Sequence, residues 1–214
     1  MDDVDNYMMQ QHRAAIKQDE LKNNIIGQQL AKRALEVAMA GDLSVLLIGP
    51  RGAGKQMLCA AFGTVDATWM HRCRCGSAAD RCICTPEDLQ RWLRLILARI
   101  HHFDIVLSVD PVPYKYVEHH KADITYAPLL HKRVAAAKDF RTIDNPRRQT
   151  LEHAAQRVEE MAARRLSLPV STLERVRKVA RAIADLDKSL VIQAKHMAEA
   201  VQYCGYAYSI AIAS

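Results

Sequence analysis

A glycine-rich segment in the first third of the chain has the residue types and spacing that hold phosphate groups. The segment consists of Gly49, Pro50, Arg51, Gly52, Ala53, Gly54, Lys55 and Gln56. Glycines let successive backbone N–H groups turn toward phosphate oxygens, and a lysine after the last glycine reaches the β- and γ-phosphates. The sequence therefore predicts that these residues bind the phosphates of ATP or ADP.

The last position of this segment departs from the usual pattern. A serine or threonine normally follows the lysine, and its hydroxyl binds Mg²⁺. Gln56 stands there instead, and its amide oxygen is on a longer arm that points differently. The departure favours phosphate binding with a weakened contribution from Mg²⁺. A glycine-rich turn without any ligand is the alternative.

Four cysteines cluster in the next segment and have the softness that zinc prefers. They are Cys73, Cys75, Cys82 and Cys84. Zinc takes four such ligands in a tetrahedron, usually from pairs with slightly wider spacing than these pairs have. His71 is a fifth candidate ligand. The pattern predicts a zinc site, and four free thiols in a surface loop are the alternative.

The surrounding hydrophobic patterns predict the elements that position these residues. An apolar run over residues 44–48 is typical of a buried parallel strand, and residues 103–109 form a second such run. Helical spacing covers residues 28–40, 56–62, 85–97, 128–141, 151–166, 170–186 and 191–203. Gly41 is placed to end the first of these helices, and residues 63–85 show no regular pattern. The sequence predicts an α/β protein with few parallel strands, flanking helices and an all-helical C-terminal part.

Composition narrows the class of protein. Apolar residues make up 50% and charged residues 25% of the 214 residues, which is ordinary globular usage and excludes a disordered, collagen-like or rod-like chain. No apolar run approaches the roughly 20 residues of a membrane helix. The chain starts with acidic residues rather than with a basic and apolar leader. We therefore expect a cytoplasmic protein that does not enter a membrane.

The excess of basic residues is compatible with a nucleic-acid partner. Lys and Arg total 30 against 24 Asp and Glu, a formal charge of +6. The candidates for contact with DNA phosphates are Lys132, Arg133, Lys138, Arg141, Arg147, Arg148 and Arg157. The alternative is that these side chains form the solvated faces of helices.

Three blocks of the chain resemble a known family. The first covers residues 26–38 and the strand and loop at 46–50, the second joins residues 73–76 to residues 82–86, and the third covers residues 177–186 and 196–203. Together they are similar to the magnesium-chelatase-like AAA+ ATPases, and most of all to their ComM/YifB branch.

The resemblance implies a shortened P-loop AAA+ core at residues 23–113, with a cysteine loop at 71–85. It also implies a helical lid at residues 114–214 and an N-terminal arm at residues 1–22. ATP with Mg²⁺ would bind at a subunit interface of a ring, formed with further copies or with a longer family member. Arg181 matches the lid arginine that contacts the γ-phosphate. For this branch the resemblance further implies DNA remodelling during transformation.

Two departures from the family bear on catalysis. Residues 56–72 are too few to hold the Walker B strand, whose acids bind Mg²⁺ and polarise water. Asp110, which follows the apolar run at residues 103–109, is weighed as a substitute for those acids, although by resemblance that run is the strand after the arginine-finger segment. His101 and His102 stand where the family has its arginine finger, and neutral histidine lacks the fixed charge that stabilises phosphoryl transfer. We expect nucleotide binding with weak or no hydrolysis. The alternatives are a non-catalytic helical adaptor or remnant with a vestigial loop, and the product of an internally deleted gene.

Overall fold

The computed structural model describes residues 15–118 and 121–212, with side chains of the last helix described up to Gly205. The helices in chain order are α1 (15–24), α2 (Gln29–Gly41), α3 (Lys55–Ala61), α4 (Pro86–Ile100), α5 (Tyr114–Glu118), α6 (Tyr126–Arg141), α7 (His153–Arg165), α8 (Val170–Leu186) and α9 (Ala194–Ile212). The strands are β1 (Val45–Gly49), β2 (Ala67–His71) and β3 (Ile105–Ser108), and short 3-10 turns lie at Ala79–Arg81 and Pro146–Gln149. The protein is therefore of mixed α/β class, as predicted.

The three described strands form one parallel sheet in the order β2-β1-β3. Val45 of β1 is level with Ala67 on one side and with Ile105 on the other. Every residue of β1 is buried, which explains its uninterrupted apolar sequence. The two predicted strands are confirmed. The prediction that residues 63–85 lack regular structure is wrong at β2.

The sheet packs helices on both faces. Alternate side chains of β1 point to opposite faces, so Leu46 and Ile48 meet Ile96 and Ile100 of α4 on one side. On the other side Val45 and Leu47 belong to a larger core that also contains residues of α2, α8 and α9. The C-terminal helices therefore share a core with the sheet. The predicted division at residue 113 stays a prediction.

Helix α8 has the bounds that the sequence predicts, and its apolar stripe lies in that larger core. Of the apolar positions that the spacing assigns to the helical core, seven are buried: Val176, Val179, Ala180, Ile183, Ile192, Met197 and Ala200. Leu166, Leu173, Leu186 and Val201 are half-buried. The helical period thus identified the inward faces of α8 and α9.

Gly41 is the last residue of α2, so the helix ends where the sequence predicts, and the left-handed conformation that follows is taken by Asp42, with φ of 51°. A Cβ atom on Gly41 would lie 2.6 Å from the Cβ of Ala182. Glycine is needed here because α2 and α8 approach closely, rather than because the chain turns.

Residues 1–14 of the predicted N-terminal arm lie outside the described residues. From residue 15 the arm is helical, and Lys22 near its end is buried and pairs with Asp19 at 2.9 Å. Within the described ranges, no helix has the length and apolarity needed to cross a bilayer.

Stability is expected to fall as the pH drops below about 6.5, through His196 near the start of α9. Burial holds the pKa of His196 below its ordinary value of 6.5, although the nearby Asp187 carboxylate opposes the shift. The Gln193 N–H donates to Nδ1 at 3.0 Å, which favours the neutral ring. The unfolded chain then binds more protons than the folded chain below that pH, so acid favours unfolding, by at most about 1.4 kcal/mol per pH unit.

His196→Asn tests this expectation, because its side-chain oxygen still accepts the Gln193 N–H and does not titrate. Urea unfolding of both proteins between about pH 7.5 and about pH 5 should give a shallower pH dependence for the variant. Equal slopes would assign the acid sensitivity to other groups.

Candidate functional site

The glycine-rich segment forms an open loop between β1 and α3. Gly52 and Gly54 have φ of 76° and 84°, in the left-handed region that side chains disfavour. A Cβ on Gly49 would lie 2.1 Å from the carbonyl oxygen of Val109, so only glycine fits there. The side-chain amide of Gln28, which directly precedes α2, donates to the carbonyls of Ala53 and Asp110 at 3.2 and 2.7 Å. It therefore ties the loop to the start of α2 and to the segment that follows β3.

Lys55 is the first residue of α3, and its side chain extends back into this loop. Its Nζ donates to the carbonyls of Gly49 and Pro50 at 2.9 and 2.5 Å, and the residue is only 4% exposed. Burial lowers the pKa of Lys55 below its ordinary value. Among the described residues no carboxylate pairs with the ammonium group. The buried charge therefore lacks an anionic partner, and a phosphate would supply one.

The loop opens into a cavity of about 650 Å³. Arg51, Lys55 and His71 line its polar part, and its other lining residues are Leu21, Gly52, Ala53, Gly54, Gln56, Met57, Ala60 and Trp69. None of the described lining residues is an acid. The size is that of small-molecule sites, and the charged lining favours an anionic ligand.

Strand β2 contributes two residues to the cavity, and the sequence predicted neither of them there. Trp69 and His71 lie on the same face of β2, with ring centroids 5.2 Å apart, and the Lys55 ammonium is 5.6 Å from the Trp69 ring. Burial and the charges of Lys55 and Arg51 lower the pKa of His71. His71, a predicted fifth metal ligand, thus lines the cavity beside the glycine-rich loop instead and is not among the clustered cysteines.

Arg181 is not brought to the loop. Its guanidinium donates to the carbonyls of Arg148 and Leu190 at 2.6 and 2.9 Å and also bonds Asp185 at 3.2 Å. It lines a separate cavity of about 410 Å³ between the C-terminal helices and Gly41. These contacts hold the C-terminal helices together, and contact of Arg181 with a nucleotide stays a prediction.

The four cysteines do come together. The sulfur of Cys73 lies 3.3 Å from that of Cys75 and 3.6 Å from that of Cys82, and Cys75 and Cys82 are 3.7 Å apart. With Cys84 included, all four sulfurs lie within 4.8 Å of one another. A tetrahedral zinc with Zn–S bonds of about 2.3 Å places its sulfurs roughly 3.8 Å apart. The cluster has the donor set and spacing of a closed metal site.

Most of the basic side chains predicted to face DNA are engaged within the fold. Arg133 pairs with Glu36 at 2.5 Å, and Lys138 and Arg141 pair with Asp42 at 2.9 and 2.7 Å. Arg148 is buried against Asp185 at 2.7 Å. These pairs favour the structural interpretation of that stretch.

The residues weighed for catalysis are not among the described residues that line the cavity, although the carbonyl of Asp110 shares the Gln28 amide with Ala53 of the loop. Asp110 is exposed and lies 3.4 Å from Arg72, and His101 and His102 are exposed after the end of α4. None of the three lines the cavity. The described site therefore offers cations and backbone groups for phosphate but no acid for metal or water.

This arrangement of a β-strand, a glycine-rich loop and a helix that begins with a buried lysine is typical of phosphate-binding α/β proteins. Two family descriptions match this chain: "Magnesium chelatase, subunit ChlI" over residues 21–69, and "Magnesium chelatase, subunit ChlI C-terminal" over residues 129–204. Together the two matches span more than half of the chain, which belongs to the magnesium-chelatase-like family.

Individual relatives agree with this assignment. The chain is 33% identical over 81 residues to "Uncharacterized protein YifB" of Escherichia coli, and 34% identical over 80 residues to YifB of Salmonella typhimurium. Each match covers 37% of this chain and 16% of the relative. "Competence protein ComM" of Haemophilus influenzae is 60% identical over 35 residues, which is 16% of this chain and 7% of ComM. The chain thus matches about a sixth or less of the length of these relatives.

Proposed function

We propose that this chain binds ATP or ADP through residues 49–56 and hydrolyses ATP at close to the background rate. The observation that supports binding best is the buried Lys55 ammonium, which has only carbonyl partners among the described residues and faces a ligand-sized cavity. The family match over residues 21–69 covers this loop and supports the same proposal.

The weak hydrolysis in this proposal follows from the residue types at the site. Phosphoryl transfer needs charge stabilisation by bound Mg²⁺ and a fixed cation, and a group that orients the attacking water. Gln56 replaces the hydroxyl that holds Mg²⁺, and the described cavity lining contains no acid. Mg²⁺ would accompany the nucleotide through its phosphates, without the loop hydroxyl that usually holds it.

Zinc at the four cysteines is part of the proposal, with a structural role. The sulfur spacing and a closed set of four thiols support it, since structural zinc sites are four-coordinate. Two further features rest on the family alone: assembly into a homo-oligomeric ring, and action on DNA. The ion pairs of the basic stretch give DNA binding no support from this chain's own geometry.

The alternative is a helical adaptor or remnant in which the loop is vestigial. Removal of the loop lysine distinguishes it from the nucleotide-binding proposal. We expect wild-type protein to bind ATP and ADP weakly in calorimetry. Lys55→Ala should bind them at least about tenfold more weakly, because charged hydrogen bonds contribute roughly 1.5–3 kcal/mol. The measurement is made with and without Mg²⁺.

Lys132→Ala serves as the matched control, because it removes an exposed lysine of α6 far along the chain from the loop. Circular dichroism checks that both variants are folded. Equal nucleotide affinity in wild type and Lys55→Ala would favour the adaptor. An ATP turnover of about 1 s⁻¹ that Lys55→Ala abolishes would refute weak hydrolysis, since this rate is within the range of ordinary enzymes.

A further inference from the structure

We propose that the cysteine cluster and the phosphate loop are thermodynamically linked, so that zinc bound by the four thiols holds the loop in the form that binds nucleotide. The inference rests on the proposed function and extends it to regulation of the same site. It is carried by direct contacts between the turn that contains the cysteines and the loop that contains Lys55.

The first contact is between backbone groups. The N–H of Arg51, inside the phosphate loop, donates to the carbonyl of Gly76 at 2.7 Å. The N–H of Gly76 in turn donates to the carbonyl of Cys73 at 3.1 Å, and Gly76 directly follows Cys75. Two hydrogen bonds through Gly76 therefore connect Cys73 to the phosphate loop, and the peptide bond before Gly76 connects Cys75 to the same point.

The second contact is a steric fit at the same place. Gly76 has φ of 71°, and a Cβ built on it would lie 2.7 Å from Nε and 2.9 Å from Cγ of Arg51. The Arg51 side chain thus lies across the bare backbone of Gly76. Since Arg51 also lines the cavity, the position of the cysteine turn sets the position of a cavity residue.

The third contact fixes the strand that leads into the cluster. The Trp92 indole N–H of α4 donates to the carbonyl of His71 at 2.8 Å, and His71 lines the cavity two positions before Cys73. The cavity wall and the first metal ligand therefore lie on one continuous, anchored piece of backbone.

The cysteine turn has little else to order it. Cys73 is 2% exposed, but Ile83 is 86% exposed, and the 3-10 turn Ala79–Arg81 contains no buried residue. A segment that buries so little apolar surface depends on a crosslink for its order, and zinc binding supplies folding free energy directly. On this proposal, loss of the metal frees the cysteine segment and weakens the hydrogen bond from the Arg51 N–H to the Gly76 carbonyl.

The linkage is tested on the full chain by comparing protein loaded with one equivalent of Zn²⁺ with protein stripped by a chelator. We expect about one zinc per chain, and ATP affinity about tenfold higher in the loaded protein, within the range of typical couplings. By reciprocity, ATP should raise the affinity of the chain for zinc by the same factor, measured by equilibrium competition with a chelator. Zinc content is measured by elemental analysis and ATP affinity by calorimetry.

Gly76→Ala separates linkage from loss of fold. The variant keeps all four cysteines, so we expect full zinc content, while its methyl group displaces Arg51 and weakens ATP binding about tenfold, again within typical coupling strengths. Arg74→Ala is the matched control from the same turn, because Arg74 is 75% exposed and contacts Asp88 at 3.6 Å rather than the loop. It should retain both zinc and ATP affinity.

The outcomes distinguish the two proposals. Loaded wild-type protein that binds no ATP refutes the proposed function. ATP affinity that is equal in loaded and stripped protein refutes the linkage alone, and so does a chain that takes up no zinc yet binds ATP. If the stripped chain unfolds, the Gly76→Ala variant decides between linkage and loss of fold. A variant that is folded, carries zinc and has unchanged ATP affinity overturns the linkage.

Discussion

Replacement of Asp185 by alanine is expected to lower the free energy of unfolding by about 3–5 kcal/mol, the usual cost of breaking a buried ion pair from one side. The Asp185 side chain is 2% exposed and accepts from Arg148 at 2.7 Å and from Arg181 at 3.2 Å. Without the carboxylate, two largely buried guanidinium groups face each other with no counter-charge. The loss is a large part of the 5–15 kcal/mol that stabilises an ordinary domain.

Urea unfolding followed by circular dichroism measures this effect. Asp80→Ala is the matched control, because Asp80 is exposed and its contact to Arg81 is 3.7 Å long. We expect a change within about 0.5 kcal/mol for the control, as is usual for surface sites. A loss below about 1 kcal/mol in Asp185→Ala would mean that the two arginines are satisfied by their carbonyl partners alone.

Gly49→Ala is the second change with a large expected effect. The added Cβ would lie 2.1 Å from the carbonyl oxygen of Val109, and both groups belong to backbone that continues from the paired strands β1 and β3. Relief of the clash requires the two strand ends to separate. We expect a loss of about 3 kcal/mol or more, at the upper end of the cost of overpacking.

Gly52→Ala is the matched control within the same loop. Nothing lies within 4 Å of a Cβ at Gly52, so its cost is that of the left-handed backbone, about 1–2 kcal/mol. In the same urea titration, Gly49→Ala should therefore lose clearly more unfolding free energy than Gly52→Ala. Equal losses would show that strain in the loop, rather than contact with the end of β3, decides the need for glycine at residue 49.

The elements with strong local signals were predicted from the sequence. Helix α8 matches its predicted residues because a full apolar stripe repeats along it. Strand β1 was predicted from the apolar run at residues 44–48, and its burial in the sheet explains that run. The phosphate loop was predicted because glycine spacing before a lysine reflects a local backbone geometry. In each case the residues that specify the structure are neighbours in the chain.

The remainder depended on contacts between distant segments. Strand β2 escaped prediction because Trp69 and its neighbours are half-exposed and form no apolar run. The need for glycine at residue 41 comes from Ala182 on another helix. Two partners of Arg181 are the carbonyls of Arg148 and Leu190, which lie in separate segments that the folded chain brings together. Such features follow from the packing of elements, which periodicity does not record.

The order of the strands also determines where this fold tolerates insertion. β1 pairs directly with β2 over the whole of both strands, from Val45 and Ala67 to Gly49 and His71. Any additional strand between α3 and β2 must therefore join an outer edge of the sheet, beside β2 or beside β3, and extend the sheet outward. The connection at residues 62–66 is thus a point at which whole units can be gained or lost during evolution, while the register of the remaining strands is preserved.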